Sequence, residues 1–269
     1  MNTTVKDPVC GMTVNENTPL GAVHQGTSYY FCSDKCRREL EANPAAFAPP
    51  VAPPCEPAPH TRGMTMNWAA PFYDLYCRAV GLGLSFRNQT LRAAKIQPDE
   101  RLLDVGCGTG VLTRLALDAA GSAASAVGID PAPDMIRVAR EHAKQLGSRA
   151  EFRVAAIENL PFSDSSFDVA LASLMLHHLP PDARLEGLRE VLRVLKPGGR
   201  LVVADFGRPT NPLWWLVAWP FLFLPMTADN LRGRIPAYLR EAGFDPVEMV
   251  GHRAGLLMYC VARKPGAAK

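Results

Sequence analysis

Two stretches of the chain carry residue types at spacings that could do chemistry. The first is "LLDVGCGTG", residues 102–110. An apolar run reaches Asp104, then Gly106, Gly108 and Gly110 alternate, with Cys107 as a small residue inside the loop, and a helical pattern follows. Glycines without a Cβ let the backbone turn sharply and lie close to a ligand. The helix that follows offers free N–H groups to that ligand. A dinucleotide fingerprint would read G-x-G-x-x-G; counted from Gly106, its last glycine would fall on Val111. The motif here is an acid followed by G-x-G-x-G. In "VGIDP" further on, Asp130 stands where it can accept hydrogen bonds from both hydroxyls of an unphosphorylated ribose, with Pro131 after it.

The second constellation is a group of thiols. Cys10 precedes Gly11 in "DPVCGM", and Cys32 and Cys36 lie four apart in "YYFCSDKC". "CSDKCRRELEANP" reads as a helix, so both thiols share one face near its first turn. The positive end of a helix favours thiolate. Three convergent thiolates suit Zn(II), Cu(I) or another soft heavy metal. A fourth ligand is not evident; His24 and Cys55 are weak candidates. Cys77 and Cys260 lie in apolar patterns and read as core.

The chain of 269 residues is long enough for one full α/β domain and a small appendage. Hydrophobic residues make up 48% and charged residues 20%, the balance of a packed protein, and the net charge is +3 without a dense basic run. No nucleic-acid partner is expected. Seven cysteines, an odd number with no ladder of spacings, fit a reducing compartment. The first residues carry no apolar h-region, so the expected location is the cytoplasm.

Three regions separate by composition. Residues 1–47 hold the first thiols. Residues 48–63 belong to a proline-rich stretch that reads as an extended linker. From residue 64 to 269 short branched apolar runs alternate with helical patterns. "RLLDV", "SAVGI", "EFRVA", "FDVALAS" and "RLVVADF" read as buried parallel strands. Two further strands are expected near 246–251 and 256–263. The helix "DARLEGLREVLRVLKPGG" is expected to stop at its Lys-Pro-Gly-Gly before the strand at 200. This alternation predicts an α/β fold, a doubly wound Rossmann-like sheet of seven strands beside a small cysteine-containing domain. The uncharged run "PLWWLVAWPFLFLPM", residues 212–226, is shorter than the ~20 residues of a spanning helix. It is expected to be a buried lid or core segment; the functional alternatives are an apolar substrate wall or a peripheral bilayer contact.

Residues 64–263 resemble a class I S-adenosylmethionine-dependent methyltransferase of the group that contains the ubiquinone/menaquinone C-methyltransferases. The matching stretches are "LLDVGCGTG", "VGIDPAPDMI", "AAIENLPFSDSSFDVALASLMLHHL" and "VLKPGGRLVVADF". The resemblance implies that Asp104 and the 106–110 loop hold the methionine end of the cofactor. It puts the ribose on Asp130 with Met135 nearby, and the adenine between Ala156 and Ile157, close to Glu158. Ser173 would face the sulfonium, and Tyr73 would sit on a helix capping the site. An activated sulfonium methyl needs mainly proximity and orientation. A general base matters only for a nucleophile that carries a proton of high pKa. His177 and His178 are candidates for that role, His177 first; the bland alternative is that they brace the loop. Residues 5–47 resemble the YHS domain, a metal-associated module, which would make Cys10, Cys32 and Cys36 metal ligands.

The reading is a methyltransferase acting on a small apolar acceptor, lipid or quinone-like, with a metal-binding module; the sequence leaves the oligomeric state open. Two alternatives stand beside it. One is a metal chaperone or regulator on a non-catalytic methyltransferase fold, which the intact acid–glycine loop argues against. The other is a metal or metalloid methyltransferase. The absence of any cysteine between Cys107 and Cys260 argues against that one.

Overall fold

The computed structural model describes residues 4–15, 17–24, 27–42, 59–70, 72–122 and 124–266. Two compact units divide the chain, Met1–Glu56 and Pro57–Lys269. Most of the expected linker, residues 48–58, lies outside the described residues, as does Cys55.

In the first unit β1 (Thr4–Lys6) pairs antiparallel with β2 (Thr13–Asn15), and β3 (Gly21–His24) with β4 (Thr27–Tyr30). Helix α1 (Asp34–Ala42) follows. Tyr29, Phe31, Cys36 and Leu40 form the small core. The helix starts later than the spacing predicts. Ser33 caps it, its hydroxyl accepting from the Cys36 N–H at 3.3 Å, so Cys32 stands just ahead of the first turn and Cys36 within it.

In the second unit a short 3₁₀ turn, Asn67–Ala69, leads into α2 (Tyr73–Ala79) and α3 (Leu84–Ala94). The alternation then runs β5 (Arg101–Val105), α4 (Val111–Ala120), β6 (Ser125–Asp130), α5 (Pro133–Gln145), β7 (Glu151–Val154) and β8 (Phe167–Ser173). After a 3₁₀ turn at Leu176–His178 come α6 (Pro181–Val194) and β9 (Leu195–Phe206). The end of the chain holds α7 (Pro212–Ala218), a 3₁₀ turn at Trp219–Phe223, α8 (Pro225–Leu231), α9 (Ile235–Glu241), β10 (Val247–Arg253) and β11 (Leu257–Arg263).

The sheet order is β10-β11-β9-β8-β5-β6-β7. β5 through β9 pair in parallel, and β11 enters antiparallel between β9 and β10. The inner strands β5, β6, β8, β9 and β11 are buried on both faces, which is why they read as continuous branched runs, while the edge strands β7 and β10 keep exposed residues. Leu103, Ile129, Ala170 and Val203 face one apolar layer, and Leu102, Ala126, Leu171 and Val202 face the other. β5 is the switch point, with β6 on one side and β8 on the other, so the glycine loop opens where ligands bind in such sheets.

Two expectations are corrected. The Lys-Pro-Gly-Gly segment does not separate helix from strand: β9 already begins at Leu195, paired with Phe167. The register then jumps to Val169–Arg200, and Lys196–Gly199 bulges between, with Gly198 at φ +78°. The run 212–226 is not a buried core segment. It forms short helices broken at Pro220 and Pro225, and Leu213, Leu216, Trp219, Phe223 and Leu224 are exposed. Proline prevents one long helix from presenting a single inward face.

Candidate functional site

The glycine loop is held from three sides. The Cys107 N–H donates to the Ile129 carbonyl (2.9 Å), and the Gly108 N–H donates to Asp130 Oδ2 (3.0 Å). Thr109 Oγ1 donates to Asp74 Oδ1 on α2 (2.7 Å). Gly110 starts α4 at φ +73°, and a Cβ there would strike the Phe152 ring and come within 3.0 Å of Ala139. The Tyr73 ring covers Gly108, 3.5 Å from where a Cβ would stand. Cys107 packs its sulfur toward Gly128.

Above the loop lies a cavity lined by Gly106, Gly108, Tyr73, Asp130, Pro131 and Met135, and on its far side by Ile157, Glu158, Met175 and His178. A smaller cavity on the same loop reaches Asp104, Cys107, Ser173, Cys77 and Arg87. Ala156 is buried, and neither it nor Gly110 lines either cavity.

The acids of this site are under strain of charge. Asp104 is buried, and its Oδ2 accepts from Thr113 Oγ1 at 2.6 Å while Oδ1 has no partner. Burial pushes its carboxyl up to about 7. Burial likewise pushes Asp130 up to about 6, although the N–H groups of Ala132 and Gly108 pull the other way. Glu158 Oε1 accepts from Thr61 Oγ1 (2.9 Å) and from the Arg62 N–H (3.0 Å), while its buried Oε2 has no partner. Buried carboxylate oxygens left without partners beside the glycine loop suit a cationic ligand. S-adenosylmethionine, with its ammonium and sulfonium, fits this set.

The sequence reading missed the segment that closes the cavity. Thr61, Gly63, Met64 and Met66 line it. Arg62 also pairs with Asp182 (2.6 Å) and Glu186, although 59–63 read as the linker's end. No residue pattern in "HTRGMTM" marks this role.

The histidines separate. His178 lines the cavity; burial, and then the neighbouring His177, lower its ring to about 4, and its Nδ1 has no partner. His177 stacks on it with ring centres 4.0 Å apart. His177 Nδ1 lies 2.7 Å from Asp205 Oδ1, at the end of β9. Asp205 has no exposed surface, and its carboxylate also accepts from the N–H groups of Leu176 (2.9 Å), His177 (3.3 Å) and Phe206 (2.7 Å). Burial alone would raise it, but the His177 ring and the backbone donors hold it below the usual carboxylate range. A carboxylate can only accept, so neutral His177 carries its proton on Nδ1 and leaves Nε2 with a lone pair. Asp205 was within the "RLVVADF" run; an acid at the carboxyl end of a parallel strand is the signal that could have found it.

In the first unit the sulfurs of Cys10 and Cys32 lie 3.4 Å apart and those of Cys32 and Cys36 3.8 Å apart. Thiolates about 2.3 Å from one tetrahedral ion stand about 3.8 Å from each other, so the triplet fits a metal. Asp7 is the residue the sequence reading missed: it joins the three cysteines, all four ligand atoms within 4.8 Å of one another. Its Oδ1 accepts from the Val9 N–H (2.9 Å) and its Oδ2 from the Cys32 N–H (2.8 Å). Burial works to raise the Asp7 carboxyl, yet these donors hold it down at about 2. The Asp7 carboxylate, then Cys10, push the Cys32 thiol up to about 12; a cation would supply the missing countercharge.

Family models match the chain twice, a methyltransferase domain at residues 102–199 and a YHS domain at 5–51. The chain is 33% identical to the ubiquinone/menaquinone biosynthesis C-methyltransferase UbiE of Ectopseudomonas mendocina, over 62% of this chain and 66% of that one, just under two thirds. It is 34% identical to the protein of the same name from Pseudomonas syringae pv. tomato, over 72% of this chain and 84% of that one. Among solved structures, a SAM-dependent methyltransferase from Aquifex aeolicus superposes with a TM-score of 0.61 at 20% identity, covering 75% of this chain and 100% of that one.

Proposed function

The chain belongs to the S-adenosylmethionine-dependent methyltransferases that include the ubiquinone/menaquinone C-methyltransferases, with a YHS domain ahead of the methyltransferase domain, and on that premise we propose that it methylates a carbon of an apolar, quinone-like ring. The observation that carries the reading is the glycine loop with a cavity on either side, one carrying the unpartnered Oε2 of Glu158 and the smaller one reaching Asp104, whose Oδ1 is unpartnered. The acceptor class is taken from relatives named for quinone methylation.

The cofactor supplies an activated methyl on sulfur. In this reading Asp104 and the 106–110 loop hold the methionine end, Asp130 both braces the loop and receives the ribose, and Met135, Ile157 and Glu158 border the adenine. Tyr73 closes the loop side. Its phenol is held well above its usual range by burial, so it remains a neutral donor. His177 lines neither cavity, but its ring lies against that of His178, which does; in this reading, aimed by Asp205, it would take the proton of a hydroquinone hydroxyl through Nε2 and so raise electron density on the ring carbon. The apolar run 212–226 offers a wall or a bilayer contact to such an acceptor. No helix among the described residues is long and apolar enough to cross a membrane.

Calorimetry with S-adenosylmethionine tests the cofactor site. Asp104 and Asp130 are protonated below about pH 6 to 7 in the free site, and a cationic ligand needs them ionised. Affinity therefore rises with pH, about tenfold between pH 6 and 7, then levels. Asp104→Asn flattens the upper part of that curve. Transfer of labelled methyl to a short-chain prenylated hydroquinone completes the test. No cofactor binding at any pH would sink the reading.

For the first unit we propose Zn(II) or Cu(I) on Cys10, Cys32 and Cys36, with Asp7 as the fourth group or as the brace of the other three. Equilibrium dialysis of the whole protein should find one equivalent of metal, lost in Cys32→Ser/Cys36→Ser while cofactor binding persists. Metal retained by that variant would refute the assignment. Among the described residues no second cluster of metal-binding groups occurs. Cys77 and Cys260 are buried apart from any such cluster, so a metalloid-methylating site has no support.

A further inference from the structure

The exposed large apolar side chains of the second unit fall mainly in two segments. One carries Trp68, Phe72, Leu75, Tyr76 and Leu84, with Trp68 81% exposed. The other carries Leu213, Leu216, Trp219, Phe223 and Leu224, with Phe223 75% exposed. The segments are far apart in sequence but meet at one turn, between β10 and β11. Arg253, the last residue of β10 before that turn, donates through Nη1 to Ser85 Oγ on α3 at 3.1 Å. On its other side the Thr210 N–H donates to the Gly255 carbonyl at 3.0 Å, and the Trp214 ring packs against Gly255.

The exposed charge along these segments has one sign. In residues 64–98 the exposed charges are Arg78, Arg92 and Lys95, and the acid, Asp74, is tied to Thr109 and Arg87. In residues 207–234 the exposed charges are Arg208, Arg232 and Arg234; the acid, Asp229, is buried, accepts a hydrogen bond from the Tyr238 hydroxyl and pairs loosely with Arg232 (3.8 Å) and Arg234 (3.7 Å), whose side chains stay more than half exposed. Exposed aromatics and aliphatics mixed with arginine and free of exposed acids are what a headgroup layer of anionic lipid rewards. The helices concerned are short, and those of the second segment are separated by prolines, so they can lie on a bilayer and not cross it. The face adjoins the reaction site: Arg87 lines both the cavity at Asp104 and the surface groove with Arg78, Leu84 and Arg253.

We propose that these two segments form one face that docks the enzyme on an anionic phospholipid surface, the apolar side chains entering the headgroup layer and the arginines meeting phosphates. The inference goes beyond the catalytic reading and stands without it, because docking is measured without turnover.

The test is flotation of the whole protein with phosphatidylcholine vesicles, with and without phosphatidylglycerol. Binding to the anionic vesicles should exceed binding to the neutral ones by tenfold or more, and salt should weaken it. Trp68→Ser/Phe72→Ser and Trp219→Ser/Phe223→Ser should each lower it on the order of tenfold, and Arg78→Glu/Arg232→Glu should abolish the preference for anionic lipid. These side chains are exposed, so melting curves should stay within a few degrees of wild type; should a pair misfold, Leu75→Ser with Leu216→Ser replaces it. Equal binding to both vesicle types, or unchanged binding by both aromatic pairs, would overturn the proposal. So would a concentration-dependent dimer, without vesicle binding, that the same variants dissociate; the face would then join two copies of the chain.

Discussion

Asp205→Ala should be the most damaging single substitution in the second unit, costing about 3–5 kcal/mol of stability and nearly all turnover. The carboxylate is fully buried and serves the His177 ring and three backbone N–H groups. Removing it leaves those donors in a dry interior without partners. Asp205→Asn separates the two roles. An amide nitrogen opposite His177 Nδ1 would force that nitrogen to accept, moving the ring proton to Nε2 and ending its use as a base. Turnover should then fall by on the order of 10²–10⁴, with a smaller loss of stability. Because Asp205 is held below the usual carboxylate range in the folded state, its stabilising effect is present above that range. It is lost as pH falls through the folded value. His178, packed on His177, acts in the same direction: it stays neutral in the fold down to about pH 4, so stability declines as the unfolded ring gains its proton between about pH 6.5 and 4. Urea titrations of wild type and both variants across pH, with single-turnover methyl transfer, check these outcomes. Equal turnover in Asp205→Asn and wild type would remove His177 from the chemistry.

Gly110→Ala should destabilise the second unit by about 2–5 kcal/mol. Left-handed backbone costs a residue with a Cβ about 1–2 kcal/mol, and Gly110 sits at φ +73°. The new methyl would also enter the Phe152 ring and press on Ala139, and overpacking adds about 1–3 kcal/mol. Gly108→Ala is the control. Its φ is +53°, but the nearest atom to its Cβ would be the Tyr73 ring at 3.5 Å, an ordinary contact. It should lose only the backbone part, about 1–2 kcal/mol, while cofactor affinity suffers more than stability. Denaturation midpoints and calorimetry distinguish the two. An equal loss of stability in both would mean that Phe152 gives way and that the third glycine answers only to backbone conformation.

The contrast between these two glycines also indicates how far the site could be read from residues alone. All three glycines of the loop look equivalent in "GCGTG", yet Gly108 lines the cavity and Gly110 lets α4 pack on β7 and α5. The two adjacent histidines were equally ambiguous. Their roles separate only because Asp205, distant in sequence, reaches His177 Nδ1 while His178 faces the cavity. Asp7 escaped attention because a carboxylate beside cysteines is also a common turn residue; the folded chain puts it against Cys32, across the domain.

By itself the sequence determined the local and periodic features: the parallel strands as branched runs, the acid–glycine turn at the end of β5, the acid ending β6 and the three clustered thiols. Each of these is written in a short stretch, where backbone conformation and hydrophobic period need no knowledge of distant residues. The tertiary structure alone decided which histidine meets a carboxylate, that residues 61–66 close the cavity, that Lys196–Gly199 bulges inside a strand, and that Leu213, Leu216, Trp219, Phe223 and Leu224 of the run 212–226 turn outward. Those outcomes depend on what the sheet order brings together and on how much apolar surface the core has room to bury. Packing of distant segments, and no single stretch of residues, sets both.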